Sequence, residues 1–517
     1  MPNRFAGREL PTGFWSTWES TGRFKMGNTE NIPKEEPSLK MKAIRSVKWT
    51  TMAEVVLKIS SMVVTIFLAR MLDKEDFGLY ALAFVVIDGL GLFKSIGIDK
   101  ALIQRTKDLD KATDTAFLII PPMGIVLYGV LWVITPFVAS FYPEAIDLPE
   151  VLRALGLFFV IFTLSKVPLT LLEKDIKFDV IARITVVSQV FYSVTALTLA
   201  FSGCGVWSLV VAYLATECIR CILFWRAVPW RPSFTFDKKV ALEMLHFGKF
   251  VFLSSLIWFL ERSFDKIIIP KVIDISTLGV YSIANNLASI PAAFLGVKVS
   301  HVLFPTYSKL QGNLYNMKMA FLRVYKVVFM ICAPVTLGLF LIGGDFLVVA
   351  YGSKWIDAVP LLQILAFCGL FTAMGYAKGP ILLSLNKPKI GFILGSIKAV
   401  ILFVALIPVA RTYGIVGVSW FILVLTIVMF FIGQSITLNL IKVKWSEVLA
   451  VLSSTLWACA AMGIAFALTN PYVMALEAHA IVKFLLNSTI ISAAFGAVIW
   501  IKEKEFIWDI KQMVIKS

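Results

Sequence analysis

Apolar residues run in blocks of about 20 from residue 51 to residue 501, and short polar connections separate the blocks. An α-helix of that length crosses about 30 Å of hydrocarbon. Transmembrane β-strands would be about 10 residues of alternating polarity, and that alternation is not seen. The pattern therefore predicts an all-α polytopic membrane protein of fourteen helices. Six fall at about 51–70, 78–98, 116–140, 152–172, 180–201 and 205–226, and six more at about 247–270, 277–303, 324–343, 357–378, 390–410 and 414–440. A final pair is expected at about 447–469 and 480–501.

The polar connections differ by side. One set carries Lys100, Arg105, Lys107 and Lys111, then Lys174 and Lys177, then Arg226, Arg231, Lys238 and Lys239. Further along, the same set carries Lys309, Lys318, Arg323, Lys387, Lys389, Lys442 and Lys444. The opposite set is nearly bare: 141–151 and 470–480 contain no Lys or Arg. Basic loops stay in the cytoplasm, so both termini are expected there.

The same pattern occurs twice. Leu72-Asp73 through Phe77-Gly78-Leu-Tyr80-Ala-Leu-Ala83 matches Ile273-Asp274 through Leu278-Gly279-Val-Tyr281-Ser-Ile-Ala284 at identical spacing. Later anchors keep the order: Pro149 with Pro360, Lys166-Val-Pro168 with Lys378-Gly-Pro380, and Gly205-Val206 with Gly417-Val418. Two six-helix halves, 41–228 and 247–441, follow. An even number of helices gives both the same orientation, about an axis along the membrane normal. A cytoplasmic linker at 229–246 joins them, with an amphipathic piece at Phe236–Leu245, and an appended pair occupies 442–501. Residues 1–40 are polar, without the apolar core of a signal peptide, and read as a disordered tail. Residues 502–517 have helical apolar spacing suited to the cytoplasmic membrane surface.

Composition narrows the function. A hydrophobic fraction of 58% excludes a soluble globular protein, and mean hydropathy is +0.83. The net charge of +16 lies mostly in short loops, as topology demands, so no nucleic-acid partner is expected. Six dispersed cysteines and three histidines offer no metal set, and Cys218-x-x-Cys221 has no second pair. The sequon at Asn487-Ser-Thr489 lies inside the last apolar block, out of reach of a glycosyltransferase. With no P-loop, dinucleotide fingerprint or zinc-protease helix, neither a cofactor nor an enzymatic activity is expected.

The polar residues inside the blocks are the candidate site. Glu54 and Lys58 fall in the first span, Asp88 in the second, Glu217 in the sixth and Lys398 in the eleventh. Glu261, Arg262, Asp265 and Lys266 cluster in the seventh, and Asn285 and Asn286 lie in the eighth. A charge at the bilayer centre costs roughly 2.5–3.5 kcal/mol unless it is paired or faces a cavity. Glu261/Asp265 and Arg262/Lys266 are each spaced i, i+4, giving two adjacent stripes of opposite sign. Either the stripes pair and fix helix packing, or they line a path for charged cargo. Gly89-Leu-Gly91 and Gly375-Tyr-Ala-Lys-Gly-Pro380 mark either flexible segments or close helix contacts.

Arg262-Ser-Phe-Asp265-Lys-Ile-Ile-Ile, Leu278-Gly-Val-Tyr281-Ser-Ile-Ala284, Pro291, Val302-Leu-Phe-Pro305 and Tyr351-Gly-Ser-Lys-Trp355 before Pro360 carry a resemblance. They resemble the polysaccharide-export flippases of the multidrug/oligosaccharidyl-lipid/polysaccharide superfamily, over about residues 41–501. The resemblance implies translocation of an undecaprenyl-diphosphate-linked oligosaccharide across a bacterial inner membrane, through a cavity lined by the first, second, seventh and eighth helices. It also implies partner polymerases and glycosyltransferases. On that reading Lys58, Arg262 and Lys266 are candidate diphosphate contacts, Lys398 is a further candidate of the cavity lining, and Asn285 and Asn286 meet sugar hydroxyls. Glu54, Asp88, Glu217, Glu261 and Asp265 are the carboxylates available for coupling to a proton or sodium gradient. The alternative is a cation-coupled exporter of small molecules on the same architecture. A glycan polymerase or ligase is disfavoured by the short outward loops.

Overall fold

A computed structural model describes residues 56–95, 97–105, 108–233, 235–293, 303 and 306–516; the side chains of 245–254, 257–258, 506–507 and 509–516 lie outside the described set. The expected N-terminal tail and Glu54 also lie outside it. The described chain is helical. Helix α1 covers 56–71. There follow α2 (Lys74–Gly91), α3 (Ile98–Gln104), α4 (Leu109–Phe141), α5 (Leu148–Lys174), α6 (Phe178–Phe201) and α7 (Trp207–Ala227). Next come α8 (Lys238–Val272), α9 (Ile275–Ala288), α10 (Leu314–Tyr351), α11 (Ala358–Gly375) and α12 (Lys378–Ser384). Last are α13 (Pro388–Leu440), α14 (Trp445–Ala475) and α15 (Ala480–Lys516).

Among the described residues, nine helical stretches are long and apolar enough to cross a membrane. One of them, α13, holds the eleventh and twelfth predicted spans, which part at Gly414 where φ reaches +60°. A left-handed residue costs glycine least, so Gly414 breaks the helix where the chain reverses. The predicted spans outside the nine are the first, second, seventh and eighth. Those are the helices onto which most of the candidate polar residues fall, and α2 alone carries Lys74, Glu75, Asp76 and Asp88. Charge is what sets α2 and α8 outside the nine.

Apolar side chains face outward around the bundle. On α4, Ala116, Ile120, Gly124, Leu127 and Leu131 recur at helical spacing and are buried, while Ile125, Val126, Val133 and Phe137 are exposed. Trp457, Ile464, Leu468 and Tyr472 are likewise exposed on α14. Such a surface is stable only where the surrounding solvent is itself apolar.

Two local results differ from the sequence pattern. The amphipathic piece of the linker is not a separate element; it forms the start of α8, which continues for 35 residues. The Asp237 carboxylate caps it, accepting from Lys239 N–H at 2.9 Å and Val240 N–H at 3.2 Å, and no breaker intervenes before Pro270. Around Gly375–Pro380, α11 ends at Gly375 and α12 begins at Lys378, while Tyr376 and Ala377 between them keep helical dihedrals.

The duplicated motif has a structural reason. Asp274 caps α9, its carboxylate accepting from Thr277 N–H at 2.6 Å, and Asp73 precedes α2 with its own N–H donating to the Asp76 carboxylate at 2.9 Å. The two glycines that follow permit a backbone crossing. A Cβ at Gly78 would lie 1.9 Å from the Ile275 carbonyl oxygen, and one at Gly279 would lie 2.0 Å from the Lys74 carbonyl oxygen. Because Lys74 and Ile275 are themselves matching positions, the contact is reciprocal, as a two-fold relation requires. The helices α2 and α9 thus join the halves at the end poor in basic loops.

Candidate translocation site

The carboxylates of α8 face the second half. Glu261 is ion-paired with Lys398 of α13 at 2.7 Å, each side chain about a quarter exposed at 25% and 24%. One turn on, the Asp265 carboxylate accepts a hydrogen bond from the Tyr281 hydroxyl of α9 and another from Lys266 N–H at 2.9 Å. Glu261, Asp265 and Lys398 line one recess together with Leu402, Ile422 and Leu425. The i, i+4 spacing does set the two carboxylates on one face. Glu261 finds its cation on another helix, from a position that spacing along α8 does not reveal. Lys378, at the start of α12, reaches over Gly433: its ammonium lies 2.6 Å from where a Cβ at 433 would sit.

The opposite wall comes from α2. Asp88 is exposed near the end of α2. Helices α2 and α8 abut beside it, a Cβ at Gly89 falling 3.0 Å from the Phe259 ring. That close approach favours the packing role for Gly89. Past the end of α2, the Lys94 ammonium lies 4.2 Å from the centre of the Phe162 ring and 5.4 Å from that of Phe158. Lys166 of α5 is buried and pairs with Asp99 of α3 at 3.0 Å, and the Ser95 hydroxyl donates to the same carboxylate at 3.0 Å.

The remaining candidates divide. Lys58 is exposed on α1, and Arg262 is exposed on α8. Asn285 is half-buried and Asn286 exposed; consecutive helical residues point about 100° apart, so they do not share one contact. Glu217 is buried and paired with Arg220 in its own helix at 2.6 Å, a local pair on α7. Asp88 and the Arg262/Lys266 pair lie on helices that abut at the seam, and Glu261, Asp265 and Lys398 line one recess beside it. Sequence reasoning missed Lys94, Lys166 and Lys378 as charges. Lys166 and Lys378 were visible as matching positions of the repeat, which places one buried or half-buried lysine in each half.

The pair across α8 and α13 predicts a thermodynamic cycle. Glu261→Gln and Lys398→Met singly each strand a charge within the membrane and are expected to lower stability by about 2 kcal/mol, less than for a fully buried pair. The double substitution is expected to regain most of that loss in thermal melts of the detergent-solubilised protein. Additive losses would show that the two side chains are energetically independent.

Comparison with known proteins fits this geometry. A family model described as "Polysaccharide biosynthesis protein" matches residues 67–360. The teichuronic acid biosynthesis protein TuaB of Bacillus subtilis is 25% identical over 430 residues, covering 83% of this chain and 89% of that protein. The lipopolysaccharide biosynthesis protein WzxC of Escherichia coli is 25% identical over 393 residues, covering 74% and 78%. Among solved structures, the lipid II flippase MurJ in an inward closed conformation aligns with a TM-score of 0.73 at 14% identity, over 89% of this chain and 99% of that one. An inward-facing multidrug resistance MATE family transporter of the MOP superfamily aligns at 0.62 and 16% identity, over 77% and 98%. The solved structures fix the fold, and the family match, spanning more than half of the sequence, fixes the kinship. This chain is a multi-pass membrane protein of the polysaccharide biosynthesis protein family, built on the MOP transporter fold.

Proposed function

We propose that the protein flips a polyprenyl-diphosphate-linked oligosaccharide, with undecaprenyl as the lipid, from the cytoplasmic to the outer leaflet of a bacterial inner membrane. The observation that carries this reading is the polar seam: α8, which bears Arg262 and Lys266, packs at Phe259 against Gly89 of α2, the residue after Asp88. A diphosphate is a compact anion that needs charged donors once it leaves water, and arginine and lysine supply them. Sugars exchange water for the polar chamber, while the prenyl tail stays in lipid. The relatives' names place them in the synthesis of teichuronic acid and lipopolysaccharide, and a further one is a succinoglycan transport protein.

On this reading both termini are cytoplasmic, and the carrier alternates access between the leaflets. Polymerases and glycosyltransferases act after and before it. The return of the empty carrier is driven by a proton or sodium gradient, with Asp88, Glu261 and Asp265 as the coupling carboxylates; one charge crossing 100 mV is worth about 2.3 kcal/mol.

The test is the lipid-linked glycan pool of the native host after deletion of the gene, extracted and assigned to a leaflet. Build-up of diphosphate-linked glycan on the cytoplasmic side, relieved by the wild-type gene, is expected. An unchanged pool together with loss of drug efflux would replace this reading with the small-molecule exporter.

A further inference from the structure

We infer that Arg70 and Lys271 form a duplicated latch that holds the outer end of the carrier shut. The two residues are matching positions of the repeat, each three residues before the aspartate that opens the shared motif, Asp73 or Asp274. Each crosses the seam to the carbonyl end of a helix in the opposite half. Arg70, at the end of α1, donates from Nε to the Ala350 carbonyl at 2.7 Å and from a terminal nitrogen to the Val349 carbonyl at 2.5 Å. Those carbonyls belong to the last turn of α10. Lys271, at the end of α8, donates to the Phe141 carbonyl at 2.6 Å, the last residue of α4. The third helix of each half is therefore capped by the end of the first helix of the other half. A cation at a helix C-terminus satisfies carbonyls left without intrahelical partners and meets the negative end of the dipole.

Charge placement supports the assignment. Basic residues are disfavoured at the outer end, where the connections 141–151 and 470–480 carry none. Arg70 and Lys271 depart from that rule, and both are spent on contacts between the halves. Lys354 and Lys74 add to the seam: Lys354 donates to the Leu72 carbonyl at 2.5 Å, and Lys74 pairs with Asp357 at 2.6 Å. Outward opening must break every one of these contacts, since each joins one half to the other. The acceptors of Arg70 and Lys271 are main-chain carbonyls, so the latch engages wherever the two helix ends meet.

The latch rests only on the alternating-access part of the proposed function, and its test needs no cargo. Spin labels are placed at Ile146→Cys and Ile356→Cys, exposed outer-end positions on opposite halves, in full-length protein whose native cysteines are replaced by serine. Distances are measured by double electron–electron resonance in lipid nanodiscs. The parent is expected to give one short distance. Arg70→Gln/Lys271→Gln is expected to add a longer component, raising the outer-open share by about tenfold, the effect of two lost caps. The single variants are expected to fall between, and Arg70→Lys/Lys271→Arg is expected to restore the parent distribution. Arg411→Gln removes an exposed basic residue of α13 away from these contacts and is expected to change nothing. An unchanged distribution in the double variant, or an equal change in Arg411→Gln, overturns the latch. A cargo-free result of either kind leaves the glycan reading to its own test.

Discussion

Replacing Gly78 with alanine is expected to remove about 5 kcal/mol of stability and to lower the melting temperature by about 10 °C; leucine at the same position is expected to yield no folded carrier. The reason is geometric. The new Cβ would sit 1.9 Å from the Ile275 carbonyl oxygen and 2.8 Å from its carbon, both backbone atoms, so no rotamer change relieves the clash. Gly279 faces the mirror-image problem, with the Lys74 carbonyl oxygen at 2.0 Å, and Gly279→Ala is expected to cost as much. Gly129, on the exposed face of α4 with nothing within 4 Å, supplies the control: Gly129→Ala is expected to be neutral or slightly stabilising through helix propensity. Fluorescence-detected size exclusion after graded heating reads all three. A Gly78→Ala protein that melts with its parent would mean that α2 and α9 do not cross there.

That crossing also shows what the sequence makes legible. Period and block length give the helices, because a bilayer demands a long apolar run whatever the neighbours are. The repeat gives the matching glycines and aspartates, since a cap and a close crossing each require a particular residue at a particular spacing. Partners are another matter. Glu261 and Lys398 are far apart in the chain, and only the packing of α8 against α13 makes them a pair. Lys94 belongs to no motif or repeat position that would single it out. In the structure its ammonium turns onto the Phe162 ring. Glu217 is the opposite case: its partner, Arg220, stands one turn away in the same helix and pairs with it. The arginine was visible at i+3 and identifies a local pair. The helices that carried most of the candidate polar residues do form the seam, for a physical reason: a helix with several charges is stable in a membrane only where protein or a polar chamber covers them.

Neutralising both seam cations, Arg262→Gln with Lys266→Gln, is expected to reduce glycan translocation by about 100-fold or more while leaving the protein folded and membrane-inserted. Each charge-assisted hydrogen bond to a phosphate oxygen is worth about 1.5–3 kcal/mol, so two together account for at least that factor. Folding is expected to survive because Arg262 is exposed and Lys266 half-buried, so neither substitution opens a core cavity. The direct readout is the initial rate at which a polyprenyl-diphosphate glycan becomes accessible on the far side of proteoliposomes. Inorganic pyrophosphate, sharing only the anionic group, is expected to inhibit the parent and to have no further effect on the double variant. Lys266→Gln alone is expected to cost about tenfold, since Arg262 retains its fork of donors. Removing positive charge from the chamber would leave a cationic drug unaffected or better bound. A double variant that flips glycan at the parent rate would therefore take these two residues out of the mechanism, and faster drug efflux in the same variant would move the protein to the exporter branch.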